Sequence, residues 1–143
     1  MNVFFDVDAT LIADDKSLRP HVQEVFEKLI EDGHDIYIWS GVGLRWDIIK
    51  RHNLQDLIKD CFVKPLWAHH ERLASLGVSP KPDFCIDDHM EIIMAFGGVT
   101  VMPYYYPNQR DMEMLRVYEA IRKASGLSPE GLAEDTNLST TQG

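Results

Sequence analysis

Four apolar runs, each ending in residues able to do chemistry, constrain this chain most. Val3-Phe4-Phe5 leads into Asp6-Val7-Asp8-Ala9-Thr10, Ile36-Tyr37-Ile38-Trp39 into Ser40, Cys61-Phe62-Val63 into Lys64, and Phe84-Cys85-Ile86 into Asp87-Asp88. Helix-like stretches lie between them, the alternation that produces a parallel sheet covered on both faces. Ligands of such open sheets bind beyond the carboxyl ends of the strands, so all four run-ends are expected along one edge.

Strands are predicted at 2–7, 35–39, 61–63, 83–87 and 99–102. Pro20 is expected to open a first helix on the stripe Val22, Val25, Phe26, Leu29 and Ile30, closed by Gly33. Further helices are expected near 43–52, 66–76, 89–96 and 109–124. The last would be capped by Asn108 and bury Met114, Val117, Tyr118 and Ile121. The expected architecture is a three-layer α/β/α, Rossmann-like domain over residues 1–124, with a parallel five-stranded sheet. Ser, Thr, Pro, Glu and Gly dominate from Gly126 onward, so 125–143 is read as a disordered tail.

The length of 143 residues and 45% apolar content suit one domain with a real core. The net charge is −9, and Glu130, Glu134 and Asp135 in the tail leave about −6 on the body. That balance argues against an extended nucleic-acid surface, which needs clustered Lys and Arg. Cys61 and Cys85 lack C-x-x-C spacing and read as buried thiols of a cytoplasmic protein. No signal peptide is read at the N-terminus, and no apolar run approaches the roughly 20 residues of a membrane span; no membrane partner is expected.

Taken in order, Asp6-x-Asp8-x-Thr10, Ser40-Gly41, Lys64-Pro65 and Asp87-Asp88 resemble the four motifs of the haloacid dehalogenase superfamily of phosphatases and phosphotransferases. The resemblance spans about residues 1–124, and Ala9 stands where the family most often has glycine. It implies a phosphate monoester hydrolase with Asp6 as nucleophile and Asp8 as general acid and base. Lys64 would be the fixed cation, and Ser40 and Gly41 the phosphate cradle. By the same resemblance the main-chain carbonyl of Asp8 ligates the metal, and Thr10 steadies the loop and contacts the substrate, with Ser40, Gly41 and Lys64. Lys81 competes with Lys64 for the cation role, but it precedes the fourth strand and belongs at the opposite edge. Lys64 follows the third strand and lies 23 positions before Asp87, as the family's lysine usually does.

The chemistry also follows from the residues themselves. A phosphate dianion resists an anionic nucleophile until positive charge is supplied. Asp6, Asp87 and Asp88 offer hard oxygen ligands suited to Mg²⁺, which binds through a few carboxylates plus the substrate phosphate. Ser40 would hydrogen-bond a phosphoryl oxygen, helped by N–H groups of the Gly41-Val42-Gly43 turn at a helix start.

Twenty-nine residues separate Thr10 from Ser40 and 23 separate Ser40 from Lys64. Secondary structure consumes most of each, so no large cap is expected. An open site suits a bulky or macromolecular phosphorylated substrate, or a small one enclosed by a homo-oligomer. Two rivals remain: a receiver-like phospho-acceptor signalling domain, and a catalytically silent relative that only binds a partner. Arg45, Arg51 and Arg110 are candidate phosphate or leaving-group contacts. Tyr104, Tyr105, Tyr106 and Trp67 either line the pocket or pack. His69 and His70 read as surface or capping residues, and His89 as a lesser candidate to lean over the site.

Overall fold

The computed structural model describes residues 1–126. Apart from Ser125 and Gly126, the expected tail lies outside the described residues. In chain order the elements are β1 (Asn2–Phe5), α1 (Val22–Glu31), β2 (Asp35–Ser40), α2 (Trp46–Arg51), β3 (Asp60–Val63), β4 (Phe84–Asp87), α3 (Met90–Phe96), β5 (Gly98–Thr100) and α4 (Glu113–Ala124). The five strands form one sheet in the order β3-β2-β1-β4-β5, and every pairing is parallel. The first strand is central, the placement that the resemblance to the haloacid dehalogenase superfamily implies.

Successive residues of β1 face opposite sides, so both faces of the sheet must be covered. Val3 and Phe5 join the larger core, formed with Val25, Phe26 and Leu29 of α1, Ile48 and Ile49 of α2, and Met114, Val117 and Ile121 of α4. Phe4 turns the other way, onto Tyr37, Trp39, Phe62, Leu73, Val78, Cys85 and Ile92. Phe4 stacks on Tyr37 at 4.8 Å and meets Trp39 edge-on at the same distance. Cys61 and Cys85 are free and buried. Among the described residues no helix is long and apolar enough to cross a membrane.

Several expected boundaries shift. The first strand stops at Phe5 because the Val7 carbonyl accepts N–H groups from Thr10, Leu11 and Ile12, curling the chain. Ile30, counted in the buried stripe, is 43% exposed. No α-helix forms over 66–76. The N–H of Arg72 reaches the Ala68 carbonyl and that of Leu76 reaches Arg72, while Leu73 and Gly77 close shorter turns onto His70 and Ala74. Ala68 has φ 45°, which α-helical backbone excludes. The segment therefore covers its face of the sheet as successive turns, through Leu73 and Val78.

The last helix begins at Glu113, four residues later than expected. Asn108 caps only a local turn, its Oδ1 accepting from Arg110 N at 3.0 Å. Asp111 serves the true helix start, its Oδ1 accepting from Glu113 N at 3.1 Å.

Candidate active site

The carboxyl ends of β1, β2, β3 and β4 converge on one cavity of about 390 Å³ whose lining includes Asp6, Asp8, Ser40, Gly41 and Lys64. Parallel register explains the convergence. Phe5 pairs with Ile38 and Ile86, and Ser40 pairs with Val63, so the residues just beyond these positions emerge side by side.

Lys64 is the hub. Its Nζ donates to Asp6 Oδ1 at 3.1 Å and to Asp87 Oδ2 at 2.8 Å, and all three residues are buried. Lys81 is exposed in the loop before β4, at the opposite sheet edge. One ammonium faces more negative charge than it can balance. Burial, followed by the charge of Asp87, pushes the Asp6 carboxyl up to about 7, with Lys64 opposing. For Lys64, burial favours the neutral form, but Asp6 and Asp87 outweigh it and raise the ammonium above its ordinary value.

Asp87, Asp88 and His89 complete the acidic side. Ligand atoms of Asp6, Asp87, Asp88 and His89 all lie within 4.8 Å of one another. Oδ1 of Asp88 is sealed from solvent without a hydrogen bond of good geometry, although His89 Nδ1 lies 3.3 Å from it. The same nitrogen is 3.3 Å from Asp87 Oδ1, which also accepts from the His89 backbone N–H at 3.0 Å. An orphaned buried carboxylate oxygen among three acids and one lysine fits a hard divalent cation.

Asp8 behaves differently from Asp6. Its carboxylate is half-exposed, stands outside that cluster, and accepts from Nη1 of buried Arg45 at 2.5 Å. Arg45 also donates its backbone N–H to Cys61 Sγ at 3.4 Å, fixing the guanidinium beside the loop. Sequence reasoning placed Arg45 only among distant candidates. The signal was its position five residues after Ser40, on the turn leaving an active-edge strand.

Thr10 does not line the cavity. It is fully buried, and its hydroxyl donates to Asp6 Oδ2 at 3.2 Å. This placement corrects the expectation of substrate contact and matches a loop-steadying position. The Gly41-Val42-Gly43 turn is not the start of a helix either. The helix begins at Trp46, and Val42 N already approaches Ser40 Oγ at 3.3 Å. The Ser40 hydroxyl itself faces the cavity.

The carboxylate loop is braced by a residue that sequence reasoning missed. Arg19, 1% exposed, donates to the Thr10 carbonyl at 3.1 Å and the Met102 carbonyl at 2.8 Å. It also grips both oxygens of Asp111. The Tyr104 ring lies beneath its guanidinium, 4.9 Å away. Tyr104 thus packs, while Tyr105 and Tyr106 are exposed and line no part of the cavity. Trp67 is exposed and lines no part of the cavity, with the Arg72 guanidinium 4.0 Å from its ring. Arg51 and Arg110 are exposed away from the cavity. His70 Nε2 contacts the Ala95 carbonyl at 2.6 Å, and His69 packs edge-on against Phe96.

A family model described as haloacid dehalogenase-like hydrolase matches residues 3–57. The match holds β1, α1, β2 and α2, and with them the Asp6-x-Asp8 and Ser40-Gly41 motifs. Over that stretch the chain is similar to haloacid dehalogenase-like hydrolases. Lys64 and Asp87-Asp88 lie beyond the matched span, yet the sheet brings them to the superfamily motifs within hydrogen-bond reach. Among curated proteins, none matches the chain.

Proposed function

We propose that this protein is a hydrolase, a Mg²⁺-dependent phosphatase that cleaves phosphate monoesters through an aspartyl-phosphate on Asp6. The observation that carries the reading is the buried Lys64 bridging Asp6 and Asp87 at 3.1 and 2.8 Å, with the unpaired Asp88 oxygen beside it. Asp6, Asp87 and Asp88 would hold Mg²⁺, together with the Asp8 carbonyl that the family resemblance adds. The ion would neutralise the phosphate and the crowded carboxylates.

Lys64 fixes the orientation of Asp6, while the Ser40 hydroxyl and Lys64 receive the phosphoryl oxygens. An Asp6 oxygen attacks phosphorus as the bond to the leaving alcohol breaks, and Asp8 hands that oxygen a proton. Asp8 then takes a proton from water, whose oxygen attacks phosphorus and frees Asp6 and inorganic phosphate. Arg45 acts as a positioning residue that holds Asp8 at the cavity wall. Access is direct, since the connection 41–45 is short and 6–21 folds back onto Arg19 and the sheet edge. This supports a capless site.

Incubation with an aryl phosphate tests the proposal. Turnover is expected with Mg²⁺, to stop with EDTA and to vanish in Asp6→Asn. Phosphate release without metal, or an active Asp6→Asn, would overturn it, and a long-lived phospho-Asp6 without turnover would indicate the receiver-like alternative.

A further inference from the structure

The cavity is chemically divided. Asp6, Asp8, Ser40 and Lys64 form its polar floor, and Val42 and Leu66 form its apolar wall, backed by Ile92, which is itself buried in the core. Leu66 lies so close over Gly41 that a Cβ there would come within 2.6 Å of Leu66 Cδ2. Val42 is 78% and Leu66 53% exposed. Exposed aliphatic side chains beside a reactive site, which no core explains, mark a surface for an apolar ligand.

Polar groups able to recognise a polyol are scarce on that wall. His89 Nδ1 already faces Asp87 and Asp88, and Glu91 at the mouth adds a carboxylate that can accept from a hydroxyl but repels a second anionic group. Lys64 is the one cation among the lining residues, and its Nζ is committed to the floor. A second anionic group on the substrate would meet Glu91 without a compensating partner.

Resting on the phosphatase reading, we infer that the substrate is a phosphate monoester of an apolar alcohol. Its hydrocarbon part would lie along Val42 and Leu66, and such an ester would be taken in preference to sugar phosphates or nucleotides. The volume of about 390 Å³ accommodates a small ligand.

Hexyl phosphate and glycerol 3-phosphate discriminate. The polyol is the better leaving group, so intrinsic reactivity opposes the expected result. With Mg²⁺ present, kcat/KM should favour hexyl phosphate by at least about tenfold, because each buried methylene strengthens binding several-fold. Leu66→Ser and Val42→Ser should narrow that ratio. Both side chains are largely exposed, so the fold should tolerate the changes, and a melting curve of each variant checks this.

Equal hydrolysis of the two esters, or preference for glycerol 3-phosphate, would overturn the substrate class and leave the phosphatase reading standing. If neither is hydrolysed, turnover of the aryl phosphate decides the phosphatase reading separately, and calorimetric binding of the same two esters decides the pocket. Tighter binding of hexyl phosphate supports an apolar-ester site; equal or undetectable binding overturns it.

Discussion

At the scale of single residues, Asp6, Ser40, Lys64 and Asp87 announce themselves in the sequence because each follows an apolar run, where strand geometry leaves it little freedom of direction. Arg19 and Arg45 do not, because their importance comes from partners 92 and 37 positions away. Arg45→Ala should lower kcat by about one to two orders of magnitude, the usual cost of a misplaced catalytic group. Arg45→Lys should restore part of it, and steady-state kinetics on one aryl phosphate reads both. Ala9 adopts φ 62°, a left-handed conformation that costs an L-residue roughly 1–2 kcal/mol. Ala9→Gly relieves that cost but adds unfolded-state freedom, so a net gain of up to about 1 kcal/mol is expected in denaturant unfolding.

Among the elements, strands were the easier to locate. Their apolar runs are short and dense, and both faces of the sheet demand burial. The stretch 66–76 failed as a helix because Leu73 is its one buried side chain, too little for a stripe, and the turns satisfy its backbone locally. The start of α4 was displaced because Asp111 is held by Arg19, a tertiary contact that propensity does not register. Gly98 shows the same dependence on neighbours. It has φ 131°, and a Cβ there would sit 1.9 Å from the Cys85 carbonyl oxygen. Gly98→Ala should destabilise by several kcal/mol, seen as a large fall in melting temperature.

Over the whole molecule, the crowding of carboxylates couples stability, protons and metal. An unfolded Asp6 would titrate near its ordinary 3.8, whereas the folded metal-free protein holds the proton to about 7. The fold therefore binds more protons than the unfolded chain between these values, and its stability should fall as pH rises through that window. In EDTA the melting temperature is expected to drop from pH 5 to pH 8. Stabilisation by Mg²⁺ should grow over the same range, because the cation and the proton compete for Asp6. A melting temperature that rises with pH in EDTA would refute the assignment. The sequence by itself determined the alternation of strands and helices, the parallel sheet and the common edge of its motifs, since periodicity and burial are local properties of a chain. Only the tertiary structure decided that Lys64 bridges two acids, that Arg45 holds Asp8, that Arg19 braces the loop and that Thr10 points inward. Those are distances between residues far apart in sequence, and packing alone fixes them.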